Sequence, residues 1–466
     1  MAGPFKLFRG APIRPNRMLR MWVFIAAGAA ALAAVLVVPP ASAQAVRDER
    51  IPASTPSINL FGAPPRAAPP EWSGQPGASG HPLMTADAIR AAAGNFRNCL
   101  DGLWPLAARR GISRQSFDAH VAGLTPDLRI MDLLDSQPEF TKALWDYLDI
   151  LVSDARIAKG QEVLAAHRAI FDQVEKAYGV DRFIITSIWG IESNFGTMGG
   201  DRPVIRSTAT LACVGRRQDY FRDEFLSALE ILHRGDVRPE QLIGSWAGAF
   251  GPTQFMPTSF KRFAVDFDGD GRRDVVDSAS DLIASTANNL QKDGWVAGQT
   301  WGYEVVLPQG FNYLLADRRR QISIREWEQL GIRRADQKAF PRPADNAFLL
   351  VPAGAQGPAF LMLQNFRTIM RYNPSEAYAL AIGHLSDRLR GGEAFVQAWP
   401  RHERALSVAE RAEMQQLLAR NGFDVGEADG RFGSKTRAAI RDFQAKAGLV
   451  PDGFASLAVL TKLRGS

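Results

Sequence analysis

Apolar side chains recur at helical spacing through most of the chain. In residues 139–178, Val163, Ile170 and Val174 fall on one face of a helix, and Gly179 ends the run. Other helix starts are marked by residues whose side chains satisfy the first free backbone N–H groups of a helix. On these signals helices are predicted over 85–108 (capped by Thr85 and ended by Gly111), from Ser113, from Asp181, and over 217–233, 281–293, 359–372 and 374–390.

The pattern changes between residues 301 and 363. Tyr303–Leu307 and Phe348–Val351 are short apolar runs of β-forming residues, separated by Pro and Gly. Such runs predict a small sheet or hairpin inserted in a helical domain. The expected fold class is therefore mainly α (α+β), with a small β insertion.

Composition divides the chain into segments. Residues 44–84 are rich in Pro, Ala, Gly and Ser and are predicted to form a linker, because they offer little apolar surface to bury. Residues 85–400 are predicted to form the main domain, with Pro400 at its end. Residues 404–464 are predicted to form a small separate domain.

The first 43 residues have the pattern of an export signal. A basic stretch ends at Arg20, the apolar run Met21–Val38 follows, and Ala41-Ser42-Ala43 has the form of a signal peptidase site. The apolar run is also just long enough to span a bilayer, so an uncleaved N-terminal anchor on the inner membrane is the alternative. No cysteine lies near the site, so a lipoprotein is not expected.

Residues 1–43 also account for most of the net charge. They contribute +5 of the formal net charge of +6. The rest of the chain is therefore nearly neutral and gives no support for nucleic-acid binding. The sequence contains no phosphate-binding loop, no dinucleotide fingerprint and no H-E-x-x-H zinc motif. No cofactor is therefore expected for the chemistry.

Cys99 and Cys213 are the only cysteines. In an exported chain such a pair can form a disulfide, and the absence of a C-x-x-C motif argues against a redox or zinc site. A structural disulfide is the prediction, and two buried free thiols are the alternative.

One acidic residue stands in the largely apolar stretch Ile184–Gly196, IITSIWGIESNFG. Glu192 lies near the end of the helix predicted there, with Trp189, Ile191 and Phe195 around it. Burial disfavours the charged form of a carboxyl group and raises its pKa, which suits a general acid near neutral pH. From this stretch alone, a glutamate at a helix end that points to water is an equal alternative.

The stretch Gly244–Phe260, GSWAGAFGPTQFMPTSF, allows close approach of backbone segments. Gln254 offers hydrogen-bond donors and acceptors beside Phe250 and Phe255, a combination typical of a sugar or small-molecule cleft. A glycine-rich packing loop would explain the same residues. Ser245 is not predicted to be a nucleophile, because the G-x-S-x-G spacing is absent.

Residues 266–277, DFDGDGRRDVVD, follow the calcium-loop pattern D-x-D-x-D-G. The candidate ligands at loop positions 1, 3, 5, 7, 9 and 12 are Asp266, Asp268, Asp270, the backbone carbonyl of Arg272, Asp274 and Asp277. The spacing is specific, so a structural Ca²⁺ is favoured over a solvated acidic turn. Position 12 has Asp in place of the usual Glu, and this shorter side chain has less reach for bidentate binding.

A fourth stretch, Arg371–Tyr378 (RYNPSEAY), places Tyr372, Asn373 and Tyr378 where they could line a polar and aromatic groove. A helix start capped by Asn373, with Pro374 in the first turn, would explain it equally well.

Taken in order, these stretches resemble the B family of lytic murein transglycosylases, which share a lysozyme-like core. The resemblance covers about residues 85–400 and rests on SIWGIESNFG, GSWAGAFGPTQFMPTSF, the acidic loop, STANNLQKDGW and RYNPSEAYA. Residues 404–464 are similar to a three-helix peptidoglycan-binding domain, in EMQQLLARNGF, DGRFGSKTRAAIRDFQ and GLVPDGFASLAVLTKL.

The resemblance implies a reaction and a set of residues. The family cleaves the β-1,4 bond between N-acetylmuramic acid and N-acetylglucosamine without water and leaves a 1,6-anhydro ring, so the enzyme would be a carbon–oxygen lyase. The match places the single catalytic residue, first acid and then base, on Glu192. It places substrate-binding positions on Ser245, Gln254, Tyr372, Asn373 and Tyr378.

The resemblance also implies a setting. The expected partners are peptidoglycan glycan strands, the expected state is a monomer, and the expected location is the periplasm of a Gram-negative type envelope.

Two other functions remain alternatives at this stage. One is a hydrolytic muramidase (lysozyme) of the same fold, and the other is an inactive wall-binding scaffold. Ordinary glycosidases use two carboxylates, whereas the Glu192 stretch supplies one, which favours the non-hydrolytic reaction. The presence of both Glu192 and Gln254 argues against the scaffold.

Overall fold

The computed structural model describes residues 71–77, 80–134 and 142–466. The predicted export signal or anchor (1–43) and most of the predicted linker lie outside these ranges. Within them the chain is mainly helical, and no helix there is long and apolar enough to cross a membrane.

The α-helices of the described ranges match most of the predicted segments, but the helix predicted over 85–108 is divided at Asn95 into two helices. In chain order they are α1 (Ala86–Gly94), α2 (Phe96–Arg109), α3 (Arg114–Val121), α4 (Arg129–Leu133), α5 (Leu144–Leu151), α6 (Asp154–Ala166), α7 (Arg168–Tyr178), α8 (Arg182–Ser193), α9 (Val204–Cys213), α10 (Gln218–Arg234), α11 (Pro257–Phe263), α12 (Ala279–Lys292), α13 (Ile324–Gln329), α14 (Gln364–Tyr372), α15 (Glu376–Leu389), α16 (Val408–Arg420), α17 (Ser434–Lys446) and α18 (Leu457–Arg464).

Several predicted caps are confirmed. The Thr85 hydroxyl accepts the N–H of Ala88 at the start of α1, and the Ser113 hydroxyl accepts that of Ser116 at the start of α3. Gly179 ends α7 in the left-handed region, with φ 67°. These positions follow from local chemistry, because the side-chain oxygen satisfies a free N–H and glycine tolerates positive φ.

The predicted helix 139–178 differs from the structure. Its described part consists of α5, α6 and α7, and residues 139–141 lie outside the described ranges. The chain leaves the helix at Val152, and Ser153 caps α6 by accepting the N–H of Arg156. His167 then separates α6 from α7.

The β-strands form two small antiparallel sheets in the described ranges. The first pairs β1 (Arg202–Pro203) with β2 (Ile243–Gly244). The second has the order β4-β6-β7-β3-β5, built from β3 (Gly302–Val306), β4 (Ile322–Ser323), β5 (Arg333–Arg334), β6 (Asn346–Leu350) and β7 (Ala359–Met362).

The helix predicted over 359–372 was wrong at its start. Ala359–Met362 is strand β7, which pairs with both β3 and β6, and α14 begins only at Gln364. All four residues of β7 are buried. A short run that is apolar on both faces has no periodicity that separates a buried strand from a helix.

The described residues divide into two compact units. The first unit comprises 142–187 and 287–466, and the second unit comprises the described residues up to 134 together with 188–286. In the second unit, α2 and α9 are joined by a disulfide between Cys99 and Cys213, whose Cα atoms are 6.0 Å apart.

The end of the predicted linker makes ordered contacts in the second unit. The Ser73 hydroxyl donates to Asp132 at 2.5 Å, the Arg90 guanidinium lies over the ring of Trp72, and Met84 is buried. The structure differs from the linker prediction here because Trp72 and Met84 make apolar contacts at this end of the segment.

Residues 407–464 form a three-helix domain with its own core. Fully buried side chains from all three helices meet there, including Met414, Ile440 and Leu460. The domain also packs against the rest of the first unit, where Asp452 accepts the N–H of Ala355 at 2.8 Å.

Candidate active site

Glu192 occupies the last turn of α8 and is 1% exposed. The helix begins after Asp181, whose carboxylate accepts the N–H of Phe183 at 2.8 Å, as the predicted cap requires. Residues 184–191 of α8, which precede Glu192, are buried as well. The side chain is therefore held in the protein interior, which contradicts the alternative of a solvated helix end.

The turn after Glu192 has an unusual backbone. Asn194 and Phe195 have positive φ angles of 48° and 60°, a region that side chains with a Cβ atom rarely adopt. The N–H of Phe195 bonds back to Trp189, and its ring lies so close to Gly190 that a Cβ there would be 2.7 Å from it. Such conformations persist where the surroundings enforce them, and they cluster at functional sites.

Ser193 connects this turn to the glycine-rich stretch. Its hydroxyl donates to the carbonyl of Pro252 at 2.6 Å and accepts the N–H of Gly196 at 2.8 Å. The residue that follows Glu192 is thus tied to the loop that carries Gln254.

Gln254 is nearly buried, at 4% exposed, and has a positive φ of 53°. Its amide nitrogen donates to the carbonyls of Gly199 and Gly251, at 3.1 and 3.0 Å. These two acceptors fix the orientation of the amide, because only its NH₂ group can donate. Its oxygen is buried and has no hydrogen-bond partner among the described residues, so it can accept a hydrogen bond from a ligand.

Ser245 closes the loop ahead of Gln254. Its N–H donates to the carbonyl of Ala249 at 2.7 Å, and its hydroxyl accepts the N–H of Ala249 at 3.1 Å. A Cβ on Gly244 would overlap the Ala249 carbonyl, and a Cβ on Gly200 would overlap that of Gly244. The glycines are required by this close backbone approach.

The other predicted groove residues lie together in the first unit. Tyr372 ends α14, Asn373 follows in extended conformation, and Tyr378 lies in the first turn of α15. All three are buried, and the Asn373 side-chain oxygen has no hydrogen-bond partner within the described ranges. The cap of α15 is Ser375, which accepts the N–H of Tyr378, so Asn373 is not the helix cap of the alternative interpretation.

The acidic loop brings three of its predicted ligands together. One carboxylate oxygen from each of Asp266, Asp268 and Asp270 lies within 4.8 Å of the others. The Asp266 carboxylate also accepts the N–H groups of Gly269 and Gly271, at 2.7 and 2.9 Å, so the loop is folded around it.

The remaining predicted ligands have other contacts. The Asp274 carboxylate accepts from the Arg272 guanidinium at 3.2 Å. The Asp277 carboxylate accepts from the Gln241 amide and lies 3.6 Å from Arg238. The Arg272 guanidinium also donates to the carbonyl of Asp236 at 3.4 Å.

Two buried carboxylates were missed by the sequence reasoning. Asp281 accepts the N–H groups of Phe267 and Asp274, both at 2.7 Å, and so holds the acidic loop against α12. Glu224 accepts from the N–H and hydroxyl of Thr258 at the start of α11, and burial raises its pKa. Asp281 lies in the first turn of α12, where an acidic side chain can accept free backbone N–H groups. That position in the sequence could have identified it as a structural carboxylate.

The comparisons with known proteins define the class. The transglycosylase SLT domain family matches residues 95–387, and a putative peptidoglycan binding domain matches residues 407–463. The first match covers more than half of the chain, so the chain belongs to the transglycosylase SLT domain family. The predicted family and the mainly α, lysozyme-like fold class are confirmed.

Individual relatives agree with this assignment. The crystal structure of SltB3 from Pseudomonas aeruginosa in complex with NAG-anhNAM-pentapeptide is 46% identical with a TM-score of 0.77, and the match covers 79% of this chain and 99% of that one. Lytic transglycosylase SLT35 of Escherichia coli in complex with calcium is 28% identical with a TM-score of 0.55, covering 64% of this chain and 92% of that one.

A curated relative is similar over a shorter span. Membrane-bound lytic murein transglycosylase B of Escherichia coli (strain K12) is 34% identical over 216 residues. The match covers 45% of this chain and 57% of the relative, so the chain spans little more than half the length of that protein.

Proposed function

We propose that this chain cleaves the β-1,4 bond between N-acetylmuramic acid and N-acetylglucosamine and leaves 1,6-anhydromuramic acid ends. The observation that carries the proposal is the position of Glu192, 1% exposed at the end of α8 within the matched family domain. The related SltB3 structures contain NAG-anhNAM-pentapeptide and NAG-NAM-pentapeptide. The anhydro sugar in the first is the kind of end that this reaction forms.

Glu192 acts first as an acid and then as a base. It donates its proton to the glycosidic oxygen, and the bond from that oxygen to C1 of the muramic acid breaks. The neighbouring N-acetyl group steadies the cationic C1. The Glu192 carboxylate then takes the proton of the C6 hydroxyl of the same sugar, whose oxygen bonds to C1. The proton returns to Glu192 and no water is consumed.

A single carboxylate is sufficient for this sequence of steps. The stretches Ile184–Gly196 and Gly244–Phe260 contain one acidic residue, Glu192. Hydrolytic glycosidases use a second carboxylate to activate water or to attack C1. In the proposed reaction the sugar's own hydroxyl takes that role.

The substrate-binding residues supply hydrogen bonds and apolar contact. The buried Gln254 oxygen accepts from a hydroxyl or N-acetyl N–H group of the substrate. In the first unit, the buried Asn373 oxygen is likewise an acceptor for a substrate group, and the buried Tyr372 and Tyr378 are its aromatic neighbours along the chain. Ser245 keeps the loop before Gln254 closed through its two bonds to Ala249.

The test is the chemistry of the products. Wild-type protein incubated with purified sacculi should release fragments that end in anhydromuramic acid, each lighter by one water than the hydrolysis product in mass spectrometry. Glu192→Gln should lower the rate of release by at least about 10³-fold, because the amide cannot donate the proton that the leaving oxygen needs.

Two results would contradict the proposal. Fragments with reducing ends would make the protein a muramidase that uses water. Full activity of Glu192→Gln would remove this residue from the chemistry. A matched control is Glu224→Gln, which changes another buried carboxylate of the second unit and should keep the anhydro product.

We also propose that the acidic loop holds a structural Ca²⁺. Asp266, Asp268 and Asp270 supply the carboxylate oxygens, which are the ligands that Ca²⁺ prefers. Arg272 would contribute its carbonyl, and Asp274 and Asp277 would have to release their contacts with Arg272, Gln241 and Arg238. The related SLT35 structure in complex with calcium supports this proposal.

The proposed location is the periplasm, where the protein acts as a monomer on glycan strands. The disulfide between Cys99 and Cys213 supports it, because disulfides persist in oxidising compartments. Cleavage after Ala43 and retention of an N-terminal anchor are both compatible with this location.

A further inference from the structure

The C-terminal domain has an open groove that plays no part in the proposed chemistry. Its volume is about 900 Å³, within the range of ligand-binding clefts. The ends of α16 and α17, one face of α18 and the segment before α16 form its walls.

The floor of the groove is aromatic. The rings of Phe423 and Phe443 meet edge to face, with centroids 6.3 Å apart, and Leu457 and Ala447 complete the apolar surface. Phe423 is only partly buried, so part of its ring is open to a ligand. Small apolar groups such as methyl groups fit a surface of this kind.

The rim carries two lysines. Lys446 and Lys462 are both exposed, and neither forms an ion pair within the part of the chain that the structure describes. The Lys446 ammonium lies 6.0 Å from the centre of the Phe423 ring. By contrast, Lys435 on the same domain is paired with Asp424 at 2.8 Å. Glu403 adds one carboxylate to the rim.

We propose that this groove binds the peptide stems of peptidoglycan and not its sugar strand. The free carboxylates of a stem would pair with Lys446 and Lys462, and its alanine methyl groups would lie on the open parts of Phe423 and Leu457. Glu403 would face the amine of a diamino residue in the stem. In the intact wall the lactyl carboxyl of each stem-bearing muramic acid is held in an amide bond to the stem, so the sugar strand there offers N-acetyl and hydroxyl groups but no charge to meet two unpaired lysines.

This inference rests on the proposed function, because it names the part of the wall that the C-terminal domain recognises. Charged hydrogen bonds to carboxylates are about twice as strong as neutral ones. Two of them on an aromatic floor would give the groove a preference for short anionic peptides.

The test uses the full chain with Glu192→Gln as background, so that the wall is not degraded during binding. The groove variant adds Lys446→Gln and Lys462→Gln. The matched control adds Lys435→Gln and Arg420→Gln, which remove two positive charges from exposed positions of the same domain outside the groove. All four positions are exposed, so the melting temperatures should match that of the background protein.

The expected result is a loss of binding in the groove variant alone. Its affinity for intact sacculi should fall by about tenfold or more, which is about 1.4 kcal/mol, and the control should stay within about twofold of the background. Amidase digestion separates the stems from soluble glycan strands. These stem-free strands, which keep one lactyl carboxylate per muramic acid but no peptide, should compete poorly with intact sacculi for the background protein. The released stem peptides should compete with intact sacculi.

Three results would overturn the inference. They are competition by the stem-free glycan strands that matches that of the released peptides, an unchanged affinity of the groove variant, and no competition by the released peptides. The wild-type chain is assayed separately for release of anhydro fragments, so failure of this inference leaves the proposed catalysis standing. Loss of lysis in that assay would instead count against the proposed function.

Discussion

At the scale of single residues, Gln254 combines a constrained backbone with a buried amide whose two ends have different roles. Its backbone is left-handed, with φ 53°, and its NH₂ group donates to two carbonyls. The amide oxygen is left buried without a partner among the described residues. A buried acceptor without a hydrogen bond lowers the stability of the folded protein unless a ligand supplies a donor. The amide oxygen of Gln254 is therefore better explained by ligand binding than by a contribution to stability.

Replacement of that amide by a carboxyl group should be costly. Gln254→Glu places an oxygen against the carbonyls of Gly199 and Gly251, and it should lower the free energy of unfolding by about 2 kcal/mol or more at pH 7. Burial raises the pKa of a carboxyl group. The introduced group would be neutral and able to donate one hydrogen bond at low pH, so the loss should shrink as the pH falls and grow as it rises.

Denaturant unfolding across pH measures this effect. Gln337→Glu is the control, because Gln337 also has a positive φ, 62°, but is exposed. Equal stability of the two variants at pH 7 would mean that the amide donation to Gly199 and Gly251 does not stabilise the loop.

At the scale of elements, the acidic loop 266–277 is the feature whose ligand can be tested directly. Its three clustered carboxylates repel one another without a cation, so Ca²⁺ should stabilise the protein. At 100 times the dissociation constant, binding adds about 2.7 kcal/mol. For a unit of this size, each kcal/mol raises the melting temperature by about 2–4 °C.

Calorimetry with and without millimolar Ca²⁺ measures the shift. Asp268→Asn should reduce the shift strongly, because it removes a charge from the cluster, whereas Asp429→Asn, on an exposed turn of the C-terminal domain, should leave it unchanged. A melting temperature that is the same in Ca²⁺ and in chelator would show that the loop is a solvated acidic turn that binds no Ca²⁺.

The elements also show what the sequence could and could not reveal. Helix starts at Thr85 and Ser113 were predictable, because capping depends on chemistry within a few residues. Strand β7 was not predictable, because its pairing with β3 and β6 is a tertiary fact that its apolar run does not encode.

The same division holds for the candidate site. Glu192 and Gln254 stood out because each is a polar residue in an apolar setting. The links from Ser193 to Pro252 and from Gln254 to Gly199 join residues more than fifty positions apart, and no local pattern predicts them. The role of Asp281 under the acidic loop was hidden for the same reason.

At the scale of the whole molecule, the C-terminal domain is docked against the rest of the first unit by a group of charges. Glu376, on the helix that carries Tyr378, accepts from Arg437 of α17 at 2.8 Å and from Arg318 at 2.5 Å. Burial alone would raise the pKa of Glu376, but the two guanidinium groups lower it to about 2. The carboxylate is therefore charged at any pH that the protein meets in the envelope.

Arg437→Gln should loosen this docking. Glu376 has a folded pKa below its ordinary value of 4.5, so its stabilising effect is present above that value and is lost as the pH falls towards about 2. The difference in stability between the variant and wild type should therefore be largest above about pH 5 and should vanish in strong acid. Arg437 is 40% exposed, so solvent screening limits the effect.

Limited proteolysis of the connecting segment 391–406 gives a second measure of docking. Cleavage there should be faster in Arg437→Gln than in Arg464→Gln, since Arg464 pairs with Glu413 inside the C-terminal domain. Equal cleavage rates in the two variants would show that the Glu376 pair does not hold the domain in place.

The docking of this domain has a consequence for movement along the wall. A module on a long flexible linker can keep hold of one place while the enzyme reaches many bonds, because the linker samples many distances. A docked module keeps a fixed position relative to Tyr372 and Asn373. Each time it binds the wall, the enzyme can therefore reach only the bonds at that fixed distance. Movement along the wall would then be limited by the rate at which the C-terminal groove releases it. Higher affinity of the groove for the wall would lower the turnover rate of the enzyme.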